Sequence, residues 1–233
     1  MPVFLLPKDQ VAFPPTELAT PEGMLAIGGD LSPERLLMAY RLGIFPWYSS
    51  NEPILWWSPD PRFVLFPTDL KVAKSMRPYF NQQKFQVTYD QAFEEVIRQC
   101  QKPRRGQWGG GSWITGEMLD AYVGLHSLGY AHSVEVWDSG EMVGGLYGLS
   151  LGKCFFGESM FAKVSNASKF GFISLVKKLQ ALDFKLIDCQ QQTKHLASLG
   201  AKAIPREEFV SMLKRNENEE TLTGNWEELF SRI

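Results

Sequence analysis

Cysteine and histidine are scarce in this 233-residue chain, with three of each. Cys100, Cys154 and Cys189 are odd in number and widely separated, which argues against a disulfide framework. His126, His132 and His195 show no metal-ligand spacing with one another or with the cysteines, so no metal site is expected. Long apolar runs are also missing: none approaches the roughly 18–20 residues that cross a bilayer. The start "MPVFLLPKDQ" has neither the basic opening nor the apolar core of a signal peptide, and a cytoplasmic location is expected. A large excess of either charge is lacking too. A net charge of −2 excludes a globally basic nucleic-acid binder while leaving room for a local basic patch. What is present is an ordinary globular composition, 44% hydrophobic and 21% charged, with length enough for one large or two small domains.

The first 60 or so residues are rich in proline, glycine and aromatics and read as compact but loop-heavy. Their one clear helix is "SPERLLMAYRLG", with Ser32 as N-cap, Pro33 in the first turn and Gly43 just past the end. From about residue 61 helix and strand signals alternate. A short helix near Asp69–Arg77 is closed by Pro78, and "DQAFEEVIRQC" places Phe93, Val96, Ile97 and Cys100 on one helical face. Thr115 caps the next helix and Gly129 ends it. "HSVEVW" and "EMVGGLYGL" flank the turn "DSG", and "KCFFGESMF" follows as a third strand. A long helix from "NASKF", the buried strand "KLIDCQ" and a helix near Glu207–Arg215 complete the pattern. Three sequential antiparallel strands, then a helix and another strand, suggest an α+β domain with one mixed sheet, an order similar to the acetyltransferase-like fold.

Two carboxylates stand out. Glu158 sits in "FFGESMF" and Asp188 in "KLIDCQ", each inside an apolar run. A buried ionised carboxylate costs several kcal/mol unless it is hydrogen-bonded or paired. Each acid therefore either sits at a strand end on a neighbouring N–H or arginine, or the two border an acidic cleft suited to accepting a proton from an amine. Strand alternation points Asp188 and Gln190 to one face and Cys189 to the other. Cys189 as the nucleophile of a Cys/His hydrolase lacks the glycine-rich elbow such a site uses.

"RRGQWGGGSWITG" joins basic residues, glycines and tryptophans ahead of a helix. It reads either as a flexible loop or as an imperfect coenzyme A phosphate loop with Ser112 at its last position. Trp47, Trp56, Trp57, Trp108 and Trp113 lie near turns, where most should pack in the core and some can stack a base. Lys71, Lys74 and Arg77, loosely on one helix face, and Lys102, Arg104 and Arg105 are either solvated or phosphate-binding.

Together "LAIGGDLSPERLLMAYRLGIFPWYS", "PILWWSPDPR", "GSWIT", "GESMF", "NASK" and "KLIDCQ…HLASLGA" resemble the leucyl/phenylalanyl-tRNA protein transferases of bacteria, from about Phe13 to Glu208. The resemblance implies an enzyme that moves Leu, Phe or Met from its tRNA to the N-terminal Arg or Lys of a protein, marking it for degradation. It implies a small N-terminal α+β domain, residues 1–60, and an acetyltransferase-like domain with a mixed sheet, residues 61–233, acting as a monomer without cofactor or metal. On the matching motifs, Trp47, Trp113 and Tyr122 would bracket the terminal adenosine, and Leu146, Met160, Phe172, Leu175, Leu179 and Ile187 would line the side-chain pocket. Glu158, Asp188 and Gln190 match the polar catalytic centre. Gln190 would contact the amine, Asp188 would polarise or orient Gln190, and Glu158 would fix the acceptor or aminoacyl end. The chain departs from the pattern in the longer "QWGGG" stretch, in Leu175 and Leu179 where Phe is familiar, and in Thr193 for a common Asn. The alternatives are a coenzyme A-dependent N-acetyltransferase and a non-catalytic RNA-binding module.

Overall fold

In the computed structural model, which describes residues 3–102 and 114–231, the N-terminal stretch is more than loops and a helix. β1 (Phe4–Leu6) runs parallel to β2 (Met24–Gly28), and α1 (Pro33–Arg41) follows. The Ser32 hydroxyl accepts from the Arg35 N–H at 3.4 Å, and Pro33 loses nothing in the first turn, where its missing N–H would have no partner. Gly43, at φ +78°, turns the chain into β3 (Phe45–Pro46), which pairs with β4 (Leu55–Trp57). The four strands form one sheet in the order β1-β2-β4-β3.

The second sheet begins with β5 (Arg62–Leu65). After it come a short α2 (Arg77–Asn81), β6 (Gln86–Tyr89), α3 (Phe93–Gln101) and α4 (Gly116–Ser127). Next are β7 (Ala131–Asp138), β8 (Glu141–Leu151), β9 (Cys154–Ala162), α5 (Ala167–Ala181), β10 (Leu186–Gln190), α6 (Lys194–Ser198) and β11 (Lys202–Ile204). α7 (Arg206–Asn216) and α8 (Trp226–Ser231) close the chain. The order across this seven-stranded sheet is β11-β5-β10-β9-β8-β7-β6. β7, β8 and β9 are successive antiparallel neighbours, α5 crosses over, and β10 returns parallel to β9 and antiparallel to β5. The architecture is thus α+β with a mixed sheet, in the strand and helix order that the pattern suggests. The tight turn is where "DSG" puts it, with Ser139 and Gly140 both at positive φ.

Core residues divide by sheet face. Leu36, Tyr40 and Trp56 pack with Val96, Leu119, Tyr122, Tyr147 and Phe156, joining the N-terminal sheet and helices α3 and α4 to one face. α5 covers the other with Phe172, Ile173, Leu175, Val176 and Leu179 against Val134, Leu146 and Ile187. Pro78 does not close a helix. It stands in the first turn of α2, where its fixed φ suits helix initiation. Lys71, Lys74 and Arg77 therefore fall on a loop, a 3₁₀ turn and a helix start, and share no helix face.

Candidate active site

Two bulges in neighbouring strands build the site. Along the β8–β9 ladder, Gly148 pairs with Gly157 but Tyr147 pairs with Ser159, so Glu158 is an extra residue pushed out of register. Along β5–β10, Asp188 pairs with Val64 but Gln190 with Phe63, which makes Cys189 the extra residue, and Gln190 adopts φ +59°. Gly148 is obligatory at the first bulge, since a Cβ there would lie 2.1 Å from the Phe156 carbonyl oxygen. The last residues paired between β9 and β10 are Phe156 and Asp188. Beyond them lies a cavity of about 840 Å³. Leu146, Phe155, Met160, Phe172 and Ile187 give it an apolar wall; Glu158, Asp188, Cys189, Gln190 and Thr193 border it as well. Trp47, 40% exposed, also borders it, as do Gln99, Lys102 and Lys163.

Among the described residues, Glu158 is held by neutral groups only. The Tyr40 hydroxyl donates to Oε1 at 2.7 Å, the Tyr122 hydroxyl to Oε2 at 3.1 Å, and the Gln190 amide Nε2 to Oε1 at 2.8 Å. Tyr40 and Tyr122 also bond to each other. Desolvation pushes the Glu158 carboxyl up to about 7 against the downward pull of the two tyrosines and Gln190, and the Asp188 charge adds to the rise.

Asp188 is sealed. It is fully buried, and Arg62 clamps it with Nε to Oδ1 at 2.8 Å and Nη2 to Oδ2 at 2.6 Å. Arg62 in turn donates to the Gly43 carbonyl at 3.2 Å and lies over the rings of Phe45 and Phe209. Asp188 does reach Gln190, but through the backbone: its Oδ1 accepts the Gln190 N–H at 2.9 Å. The Gln190 side chain goes to Glu158. Simple alternation therefore fails at this strand end, because the bulge lets Asp188, Cys189 and Gln190 all border the cavity. Burial pushes the Cys189 thiol well above its ordinary value, which works against a nucleophilic thiolate.

Of the residues singled out from sequence, Trp47, Leu146, Met160, Phe172, Ile187, Glu158, Asp188 and Gln190 meet at this cavity. Leu175 and Leu179 do not; they are fully buried in the packing of α5, where the helix turns their side chains into the core. Tyr122 is not a stacking platform either. It is fully buried, with its ring against Tyr147 and its hydroxyl spent on Glu158 and Tyr40. Trp113, Arg104, Arg105 and the glycine-rich stretch with Ser112 lie outside the described residues. Lys71, Lys74, Arg77 and Lys102 are exposed, and only Lys102 borders the cavity. Sequence reasoning missed Arg62 and Tyr40. Arg62 opens the apolar run "RFVLF", which makes it as anomalous as Asp188 and of opposite sign. Tyr40 shares the buried face of α1 with Leu36 and Ala39, a hydroxyl in need of a partner.

Among the described residues no cluster of three His, Cys, Asp or Glu side chains is arranged to hold a metal ion, and no helix is long and apolar enough to cross a membrane. The family model for the leucyl/phenylalanyl-tRNA protein transferase matches residues 64–214, and the model for the N-terminal domain of that transferase matches residues 29–60. The chain belongs to this family. A leucyl/phenylalanyl-tRNA–protein transferase of Syntrophus aciditrophicus is 56% identical over 226 residues, covering 97% of this chain and 94% of the relative. Those of Pseudomonas fluorescens and an Anaeromyxobacter strain are 54% and 53% identical and cover 95% and 97% of this chain and 97% of each relative. Among solved structures, L-PGS from Bacillus licheniformis is 12% identical with a TM-score of 0.39, covering 86% of this chain and 66% of that one. A GCN5-related N-acetyltransferase from Kribbella flavida is 10% identical with a TM-score of 0.35, covering 73% and 60%. Likeness at that level carries no argument about this family's site.

Proposed function

We propose that the cavity is where the aminoacyl end of a charged tRNA meets the N-terminus of an acceptor protein. Family membership makes the chain a transferase that moves an amino acid from tRNA to a protein. The observation that carries the site assignment is the junction of an apolar wall, Leu146, Met160, Phe172 and Ile187, with Glu158 and Gln190 where β9 and β10 part. The wall suits a Leu, Phe or Met side chain. The polar pair suits an amine.

An aminoacyl ester is already activated, so the reaction needs a positioned, neutral amine and a destination for one proton. An α-amine has a reference pKa of about 7.7–8.0. Transfer of its proton to a carboxyl near 7, the value of Glu158, costs only about 1 kcal/mol, whereas an ordinary glutamate near 4.3 would make that roughly 5 kcal/mol. With Nε2 engaged by Glu158, the Gln190 amide oxygen is the free acceptor that holds an amine N–H. The nitrogen attacks the ester carbon, the C–N bond forms, the bond to the ribose oxygen breaks, and that oxygen leaves with a proton. Orientation of this kind lowers a barrier by roughly 7–11 kcal/mol. Asp188, paired with Arg62 and accepting the Gln190 N–H, fixes the bulge that aims Gln190. The carboxylate of Glu158 also favours acceptors that begin with Arg or Lys. Trp47 offers a face to the terminal adenosine, and Lys102 a phosphate contact at the cavity, with Lys71, Lys74 and Arg77 farther along the tRNA. We place the enzyme in the cytoplasm as a monomer, with residues 1–60 and 61–233 as its two domains and no cofactor.

The direct test mixes Leu-tRNA with an Arg-starting peptide and reads the peptide by mass. Addition of one leucyl residue is expected. No addition with either Leu-tRNA or Phe-tRNA would contradict the reading.

A further inference from the structure

Three acid-free stretches of the chain come together beside the cavity. No Asp or Glu lies between Asp69 and Asp90, between Glu158 and Asp183, or between Asp188 and Glu207. These stretches hold 11 of the 24 Lys and Arg residues and none of the 26 acids, so the net charge of −2 conceals a local excess of positive charge. The fold packs them against one another. The Lys71 N–H donates to the Leu199 carbonyl, just past α6, at 2.8 Å. Asn166, at the start of α5, donates through Nδ2 to the Tyr79 hydroxyl of α2 at 3.1 Å. Phe80 of α2 stacks on Phe170 of α5 with ring centres 4.1 Å apart, and the Lys177 ammonium lies over the Phe80 ring at 4.4 Å.

The basic face starts at the cavity, which Lys163, Ser168 and His195 all border. Burial lowers the His195 pKa, and the Lys169 charge lowers it further, which sets that lysine beside the cavity border. Lys163, Lys194, Lys71, Lys74 and Arg77 are exposed and Lys169 is half-buried; none of the six forms an ion pair among the described residues. By contrast, Lys84 and Lys202, from the same stretches, are paired with Asp138 and Asp69. A single exposed lysine is ordinarily only solvated. Cations gathered without counterions repel one another, and a polyanion relieves that repulsion.

We propose that this face is the track for the phosphates of the tRNA acceptor arm, with Lys169 and Lys194 as its first contacts outside the cavity and Lys71, Lys74 and Arg77 as its continuation. The proposal deepens the transfer reading above and takes from it the place of the aminoacyl end. Contacts of this kind carry no sequence information, so the track accepts any tRNA whose aminoacyl group suits the pocket.

The test is the double variant Lys169→Ala with Lys194→Ala in the full chain. Its tRNA affinity is measured against salt, and its transfer to an Arg-starting peptide is measured from Leu-tRNA and from the leucyl ester of a CCA trinucleotide, which carries the cavity end alone. The slope of log affinity against log salt should become shallower by about 1.4–1.8. KM for Leu-tRNA should rise by roughly tenfold with kcat unchanged, while transfer from the trinucleotide ester stays as in the unaltered protein. Lys169→Arg with Lys194→Arg, which keeps the charges, should keep the slope. An unaltered slope in the alanine variant would overturn the proposal, as would an equal loss with the trinucleotide ester, which marks damage to the pocket. So would intact tRNA binding with lost binding to phosphatidylcholine–phosphatidylglycerol vesicles, which marks a membrane-facing surface. A chain that binds tRNA but transfers nothing would sink the reading of the site; the salt slopes would still decide the track.

Discussion

Asp188 and Glu158 lie on adjacent strands where the pairing of β9 with β10 ends, both in apolar sequence and both bordering one cavity, yet their surroundings differ in kind. Asp188 has a formal countercharge: Arg62 meets both of its oxygens and is itself enclosed by Gly43, Phe45 and Phe209. Glu158 has two phenols and an amide, all neutral. The neutral donors around Glu158 offset its desolvation only in part and leave it near 7, where it can change state during a reaction. Burial alone therefore does not mark a catalytic acid or base. The charge of the partner decides between a clamp and a proton acceptor.

The comparison breaks most visibly at the clamp. Asp188→Ala or Arg62→Ala leaves one buried charge alone and should destabilise the fold by about 3–5 kcal/mol, with transfer falling roughly a hundredfold or more as the Gln190 bulge loosens. Chemical denaturation and single-turnover transfer read the two effects; near-normal values in both would show that the pair is dispensable. Glu158→Gln should act on stability with a pH signature. Because the folded pKa is raised, the wild-type contribution is fully present below the unfolded value near 4.3, is lost as pH rises toward about 7, and is level above that. The melting temperature of wild type relative to the variant should therefore fall between pH 5 and pH 7; a constant gap would mean that Glu158 does not titrate there.

Smaller effects sharpen the contrast between the polar end and the apolar wall. Met160→Ala widens the pocket and should favour Phe over Leu as donor by about 1–3 kcal/mol in competing kcat/KM, while the pH dependence stays put. An unchanged donor ratio would remove Met160 from the donor pocket. The least change is expected for Lys102→Ala, which should reduce the slope of log affinity for tRNA against log salt by about 0.7–0.9 whatever the tRNA sequence. An unaltered slope would exclude a phosphate contact.

Much of the fold was legible because the signals are local. The face of Phe93, Val96, Ile97 and Cys100, the Thr115 cap and the "DSG" hairpin are all set within a few residues of themselves, and all three are found. The apolar wall was partly legible through family motifs, although Leu175 and Leu179 belong to the core behind it. The geometry around the two acids was not, for two physical reasons. A bulge adds a single residue that looks like any other strand residue, so alternation misplaced Cys189 and Gln190. The partners of the two acids come from far along the chain: Arg62 is 126 residues from Asp188, and Tyr40 is 118 from Glu158. Only the folded N-terminal region brings them there. Pro78 shows the same limit on a smaller scale, since proline marks a helix boundary without saying which end.

The pH dependence of single-turnover transfer, compared between wild type and Glu158→Gln, tests the central claim most directly. The wild-type rate should fall below an inflection near 7, and that inflection should vanish in the variant while the one belonging to the acceptor amine remains. A variant that kept the lower inflection at full amplitude would contradict the assignment of the proton to Glu158.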